Sequence, residues 1–139
     1  MQTPSAESLA NGADAPYWQS LIDGKPQMQH CAACQRWHWP AVWRCGGCGS
    51  WDQTWAPVAL KGSIYSWART WHPFGGTESL EKPFVTLVVE IDGTQGRRLV
   101  GLLEGDPTGL KIGVRVEGRI DATTLGDISI PALRWSIVR

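Results

Sequence analysis

Long apolar runs are missing from this sequence: none approaches the roughly 20 residues that a membrane-spanning helix needs. The opening "MQTPSAESLANGADAP" has neither a basic n-region nor an apolar h-region, so the expectation is a soluble, cytoplasmic protein with no membrane partner. An excess of one charge sign is missing too. Thirteen Lys and Arg balance thirteen Asp and Glu for zero formal net charge. Without a long-range field, nucleic-acid binding starts at a disadvantage. Histidine is scarce, at three residues, and no Ser–His–Asp logic can be read from them. Among the carboxylates, "EGD" sets two close together, Glu104 and Asp106. Its turn-like context reads as solvated, not as an acid/base pair. Tyr and Phe number two each, yet there are nine Trp. Such rings are normally buried or gathered at interfaces, so some of them are expected to serve a partner.

The 139 residues suffice for one core with a satellite, not for two full domains. Residues 1–13 are small and polar and read as a disordered tail. Residues 14–24 read as an amphipathic helix. Asp14 can cap it, Pro16 suits its first turn, Tyr17, Trp18, Leu21 and Ile22 share a face, and Gly24 ends it. Two turns are marginal alone, so that face must dock on its own domain or on a partner. Trp18 is taken as a candidate partner contact.

From Pro57 onward the texture changes. Five short runs read as strands, "GSIYSWARTW", "PFVTLVVEID", "RRLVGLLEG", "GVRVEGRIDA" and "ISIPALRWSI". The connections "HPFGGTESLEK", "DGTQG", "EGDPTGLKIG" and "TTLGD" carry turn residues and no helix-length pattern. Five strands over residues 57–139 fit a small closed barrel, of which the OB-fold is the Greek-key version. An SH3-like barrel is the alternative. The segment "DPTGLKIG" stands between the third and fourth strands, where an OB-fold has its linking turn or short helix, and this favours OB.

Between helix and barrel, residues 25–56 hold C-x2-C-x10-C-x2-C at Cys31, Cys34, Cys45 and Cys48. Each CxxC pair can put two sulfurs on one ion, and two pairs make a closed tetrahedral cage, a structural zinc site. Iron fits the same four thiolates and stays open as a competitor. Disulfides or a redox dithiol are the lesser readings, because cytosolic disulfides are rare and a redox CxxC is normally single. With all four cysteines committed, none remains as a nucleophile. His30 and His38 flank the first cysteine pair but are surplus to a complete site, and they read as surface or packing residues. Gln35 follows the first pair where glycine would be more comfortable. A left-handed conformation there costs about 1–2 kcal/mol. Trp37, Trp39 and Trp43 are expected to cover the ribbon, and Trp51 and Trp55 to cushion it against the barrel. The fold class is therefore mainly β: a short N-terminal helix, a rubredoxin-like zinc ribbon and a five-stranded OB-fold barrel.

The order of parts, "YWQSLIDGK", "CAACQRWHWP...CGGCGS", "WAPVALKGSIYSW", "PFVTLVVEID", "GVRVEGRI" and "IPALRW", resembles the acyl-CoA-associated family of zinc-ribbon plus OB-fold proteins. That family was long filed as a domain of unknown function. The resemblance covers about residues 16–139. It implies a non-catalytic subunit that binds a thiolase-like enzyme, either a thiolase, an acyltransferase or an aldolase cleaving steroid side-chain CoA thioesters. It also implies that Cys31, Cys34, Cys45 and Cys48 are the metal ligands. Gln35, in place of a small residue, and the number of tryptophans between the knuckles depart from the family pattern.

The leading expectation is thus an accessory subunit of a thiolase-fold enzyme acting on acyl-CoA. A zinc-ribbon/OB-fold nucleic-acid module is the alternative, and its required basic groove is disfavoured by 10 basic against 9 acidic side chains over residues 57–139. A rubredoxin-like electron carrier is the third reading. The loop "WHPFGGTESLEK" is too long for a tight hairpin and offers Trp71, His72 and Phe74 as candidate partner contacts. The competing view is that these rings plug one end of the barrel.

Overall fold

The computed structural model describes residues 12–125 and 127–139. The tail expected over residues 1–13 lies outside the described residues as far as residue 11.

Helix α1 spans Ala15–Ile22 with Pro16 in its first turn. Asp14 holds the N-cap position without a side-chain cap bond. Its carboxylate instead accepts the indole N–H of Trp18 at 3.0 Å, which fixes the ring on the helix face. Gly24 turns the chain so that the Lys25 N–H reaches the Ser20 carbonyl at 2.9 Å. Three short strands follow, β1 (Gln27–Cys31), β2 (Trp37–His38) and β3 (Gln53–Pro57), in an antiparallel sheet ordered β2-β1-β3.

The barrel is built from β4 (Lys61–Thr70), β5 (Phe84–Ile91), β6 (Arg98–Leu103), β7 (Arg115–Leu125) and β8 (Ile128–Ile137). It closes in the order β4-β5-β6-β8-β7, with β7 pairing back onto β4. All pairings are antiparallel except β6 with β8. This is the OB-fold arrangement, and the link "DPTGLKIG" is made of turns without a helix. One expected boundary is corrected. Residues Thr123 to Leu125, read as part of a connection, extend β7 and pair with Ile130, Ser129 and Ile128. The β-branched threonines suit a pleated ladder, and residues 126 and 127 alone separate the two strands.

Alternation in β5 buries Val85, Leu87, Val89 and Ile91 on one face. They meet Ile64, Leu99, Val116, Leu133 and Trp135 in the barrel interior. Trp135 fits because two strands lack side chains beside it. A Cβ on Gly118 would stand 2.6 Å from the indole Cζ3, and one on Gly101 would stand 2.7 Å from Nε1.

The helix settles between ribbon and barrel. Tyr17 and Leu21 are buried in the common core, and the Tyr17 ring centroid lies 4.3 Å from that of Trp39. Burial pushes the Tyr17 phenol well above its ordinary value. A second tie comes from the turn between β5 and β6. There the Gln95 side-chain oxygen accepts the Trp37 N–H at 3.2 Å, and Arg97 Nε donates to the Trp37 carbonyl at 2.7 Å. Gln95 sits at φ 59°, a conformation that a non-glycine residue enters at a cost, offset here by its grip on the ribbon. Among the described residues, no helix is long and apolar enough to cross a membrane.

Candidate metal centre

The two CxxC segments form matching knuckles. In the first, the Cys31 N–H donates to the Arg36 carbonyl and the Gln35 N–H to the Cys31 carbonyl, both at 2.9 Å. In the second, the Cys45 N–H donates to the Ser50 carbonyl and the Gly49 N–H to the Cys45 carbonyl, again at 2.9 Å. Gln35 and Gly49 are therefore equivalent, and both are left-handed, at φ 65° and 80°. Gln35 meets the expected strain and donates its side-chain amide to the Ala32 carbonyl at 3.1 Å. The loop joining the knuckles is pinned by the buried Gln29, whose amide donates to the Val42 carbonyl at 2.7 Å and accepts the Val42 N–H at 2.8 Å.

The four sulfurs all lie within 4.8 Å of one another. Cys31 and Cys48 are 3.6 Å apart, and Cys34 and Cys45 are 3.7 Å apart. A disulfide needs about 2.05 Å, so neither pair is bonded, and all four cysteines are free. Four thiolates at about 2.3 Å from a tetrahedral ion stand roughly 3.8 Å apart. The donor set therefore fits a metal ion. Cys31 and Cys45 are the buried members, and Cys34 and Cys48 are exposed.

Electrostatics point the same way. The backbone N–H of Cys34, ahead of the Ala33 N–H and the Gln53 and Cys48 side chains, outweighs burial and lowers the Cys31 thiol to about 6. Cys45 is lowered chiefly by the Cys48 backbone N–H, then by that of Gly47. Cys34 receives the Arg36 N–H, but burial and the crowding thiols around it push it up to about 11. Protein groups alone therefore disfavour the Cys34 thiolate, whereas a cation bound among the sulfurs would favour it.

One residue set aside in the sequence takes part. His38 is brought by β2 pairing with β1 to place Nε2 3.2 Å from Cys45 Sγ. Burial, then the charges of Arg97 and Arg36, hold its pKa below the ordinary histidine value. No spacing rule marks His38, because the contact exists only once β2 has turned back along β1. His30 behaves as expected, its ring 4.8 Å from that of Trp37.

The tryptophans divide differently from expectation. Trp37, Trp39 and Trp55 pack against the core. Trp43 and Trp51 instead stand 67% and 70% exposed, so Trp43 does not cover the ribbon and Trp51 does not cushion it. Arg44 Nε donates to the Gly49 carbonyl at 2.8 Å, and its guanidinium lies 5.9 Å from the Trp51 ring centroid.

The candidate partner residues lie away from the sulfurs. Trp71 and Phe74, in the β4–β5 loop, are 69% and 57% exposed, and the His72 ring sits 4.5 Å from that of Phe74. Trp18 is half-buried and lines, with Val100, Pro131 and Leu133, an apolar groove of about 310 Å³. The two neighbouring carboxylates are engaged and not merely solvated. Glu104 takes both Arg119 bonds at 2.7 Å, and Asp106 holds Thr108 and lies 3.3 Å from Arg139.

With this geometry in hand, comparison with known proteins is informative. The model of the ChsH2 C-terminal OB-fold domain matches residues 55–121. Over those residues the barrel is similar to that OB-fold domain. The likeness extends past the barrel. The solved structure of an Ltp2–ChsH2 (DUF35) aldolase is similar over 91% of this chain and 95% of that one, at 28% identity and a TM-score of 0.76. A DUF35 protein of unknown function from Sulfolobus solfataricus shares the fold, with 18% identity and a TM-score of 0.61 over 92% of this chain and 87% of that one. A probable enoyl-CoA hydratase alpha subunit from Thermomonospora curvata is 37% identical over 107 residues, 76% of this chain. The chain spans about a third, 32%, of that relative's length. The family resemblance read from the sequence holds.

Proposed function

We propose that this chain is a non-catalytic accessory subunit of an acyl-CoA enzyme complex. Its partner is a thiolase-fold enzyme, a thiolase or a steroid side-chain aldolase, and the ion in its ribbon is structural zinc. The observation that carries this reading is the likeness, over 91% of the chain, to the ChsH2-containing aldolase structure. Chemistry supports it. Four thiolates close a tetrahedral ion and leave no position for a substrate. Glu104 and Asp106 are tied to Arg119 and Arg139, which leaves them poorly placed for acid/base work. Trp71 and Phe74 stand exposed on a long loop, as aromatic anchors for a partner do. Acyl-CoA is then the substrate of the complex, with no nucleic acid and no membrane involved, in the cytoplasm.

A second reading is favoured by the 37% identity to the hydratase subunit. In it the partner is a hydratase polypeptide and the reaction is addition of water to an enoyl-CoA. One experiment separates the two. The chain is co-expressed with a thiolase-like enzyme and, separately, with an enoyl-CoA hydratase polypeptide, and each purified complex is assayed for thiolysis, retro-aldol cleavage and enoyl-CoA hydration. A stable hetero-oligomer active in one of the first two, with an inactive isolated chain, is expected. Turnover by the isolated chain would overturn the accessory role, and hydration alone would transfer the role to the second reading.

A further inference from the structure

The matched knuckles carry matched donors. Each buried cysteine receives two backbone N–H groups from its own knuckle, Cys34 and Ala33 toward Cys31, and Cys48 and Gly47 toward Cys45. The Gly47 N–H stands 3.4 Å from Cys45 Sγ. Besides the cysteine facing it, each also meets one side chain from outside the knuckles. For Cys31 that side chain is Gln53, on β3. For Cys45 it is His38, on β2, with Nε2 at 3.2 Å from the sulfur. The two supporting strands flank β1 on opposite sides, so the ribbon sheet delivers one donor to each half of the cage.

We propose that His38 is a positioning residue for the metal: its Nε2–H donates to the Cys45 thiolate, holds that sulfur in the coordination sphere and withdraws charge from it. This rests on the reading of the four thiolates as a metal cage. A metal-bound thiolate has no proton to give, so the imidazole must supply it, which fixes the tautomer with hydrogen on Nε2. The buried side of the cage is then closed by fixed N–H groups, and exchange of the ion proceeds from the exposed side, through Cys34 and Cys48.

The test uses the full chain loaded with Zn²⁺ or Co²⁺, as wild type, His38→Ala, His38→Gln and His30→Ala, each checked for a folded barrel by circular dichroism. His38→Ala should release zinc to a chromogenic chelator ~10–100-fold faster. It should also shift the thiolate-to-Co²⁺ charge-transfer band to lower energy, because the sulfur regains charge. His38→Gln, which keeps an N–H donor, should recover part of both effects, and His30→Ala should change neither. If His38→Ala fails to load, His38→Gln must still load and release metal faster than wild type. Wild-type release rates and band positions in folded His38→Ala would overturn the role of His38 alone, as would equal effects in His30→Ala. A wild-type chain that takes up neither ion would overturn the cage itself.

Discussion

In the barrel, β5 alone buries Val85, Leu87, Val89 and Ile91, and Ile64, Leu99, Val116, Leu133 and Trp135 close over them. In the ribbon, residues 25–56, the buried side chains are Met28, Gln29, Cys31 and Cys45. One of these is an amide and two are cysteines of the proposed metal cage. The barrel can therefore draw on apolar burial, about 25 cal/mol per Å². The ribbon has Met28, the packing of Trp37, Trp39 and Trp55, and hydrogen bonds worth about 1 kcal/mol net each to set against the entropy of ordering two long loops. The contrast teaches where each half will fail: the barrel through its packing, the ribbon through its ion.

Removing the ion should produce the largest difference. One equivalent of zinc per chain is expected, and structural zinc contributes on the order of 10 kcal/mol to a site of this kind. Chelation, or Cys45→Ser, should open residues 25–56 to protease while the barrel keeps its β signal. Elemental analysis finding iron, or a folded, protease-resistant ribbon without metal, would remove the contrast.

The barrel should break at Trp135. A methyl group on Gly118 would stand 2.6 Å from the indole, so Gly118→Ala should cost about 1–3 kcal/mol by overpacking. Denaturant melts of the barrel should show the loss while the rate of zinc release stays unchanged. A coupled change in both would mean that the two halves form one cooperative unit.

Trp71→Ala tests a surface that belongs to neither core. Loss of an aromatic anchor worth about 2 kcal/mol should weaken the proposed complex ~30-fold and leave the melting temperature of the isolated chain unchanged. A lower melting temperature with unaltered affinity would make Trp71 a structural residue of the barrel end.

The smallest effect is electrostatic. The Arg115 guanidinium holds the Asp92 carboxyl below its ordinary value, and that of Arg119 does the same for Glu104. A carboxyl whose pKa is lower in the folded state contributes its stability fully at neutral pH and loses it as pH falls through the folded value. Both pairs are largely exposed, so the barrel should soften only slightly below about pH 4. Asp92→Asn should flatten part of that decline. A steep loss beginning above pH 6 would point to other groups.

The parts of this fold that repeat were legible in the sequence. Period-2 alternation marked β5, and the paired CxxC spacing marked the cage together with the left-handed Gln35. What depended on two distant segments meeting was not legible. An amphipathic helix announces its apolar face but not what it meets, and so Trp18 was left between its own barrel and a partner. Trp43 and Trp51 looked like core because tryptophan usually is, yet the ribbon is too thin to cover them. His38 was dismissed by counting ligands, which is sound for the first ring of atoms around an ion and silent about the next.

Trp135 offers a different use of the same interior. Its ring has no solvent exposure, and its Nε1–H has no hydrogen-bond partner among the described residues. An indole in that state emits at shorter wavelength than one in water, and its N–H proton exchanges slowly with solvent and resonates apart from bonded indoles. The solvent-facing rings Trp43, Trp51 and Trp71 will emit at longer wavelength and yield to aqueous quenchers. The protein thus carries its own pair of optical reporters, one colour for the interior of the barrel and another for the surfaces where other molecules can land.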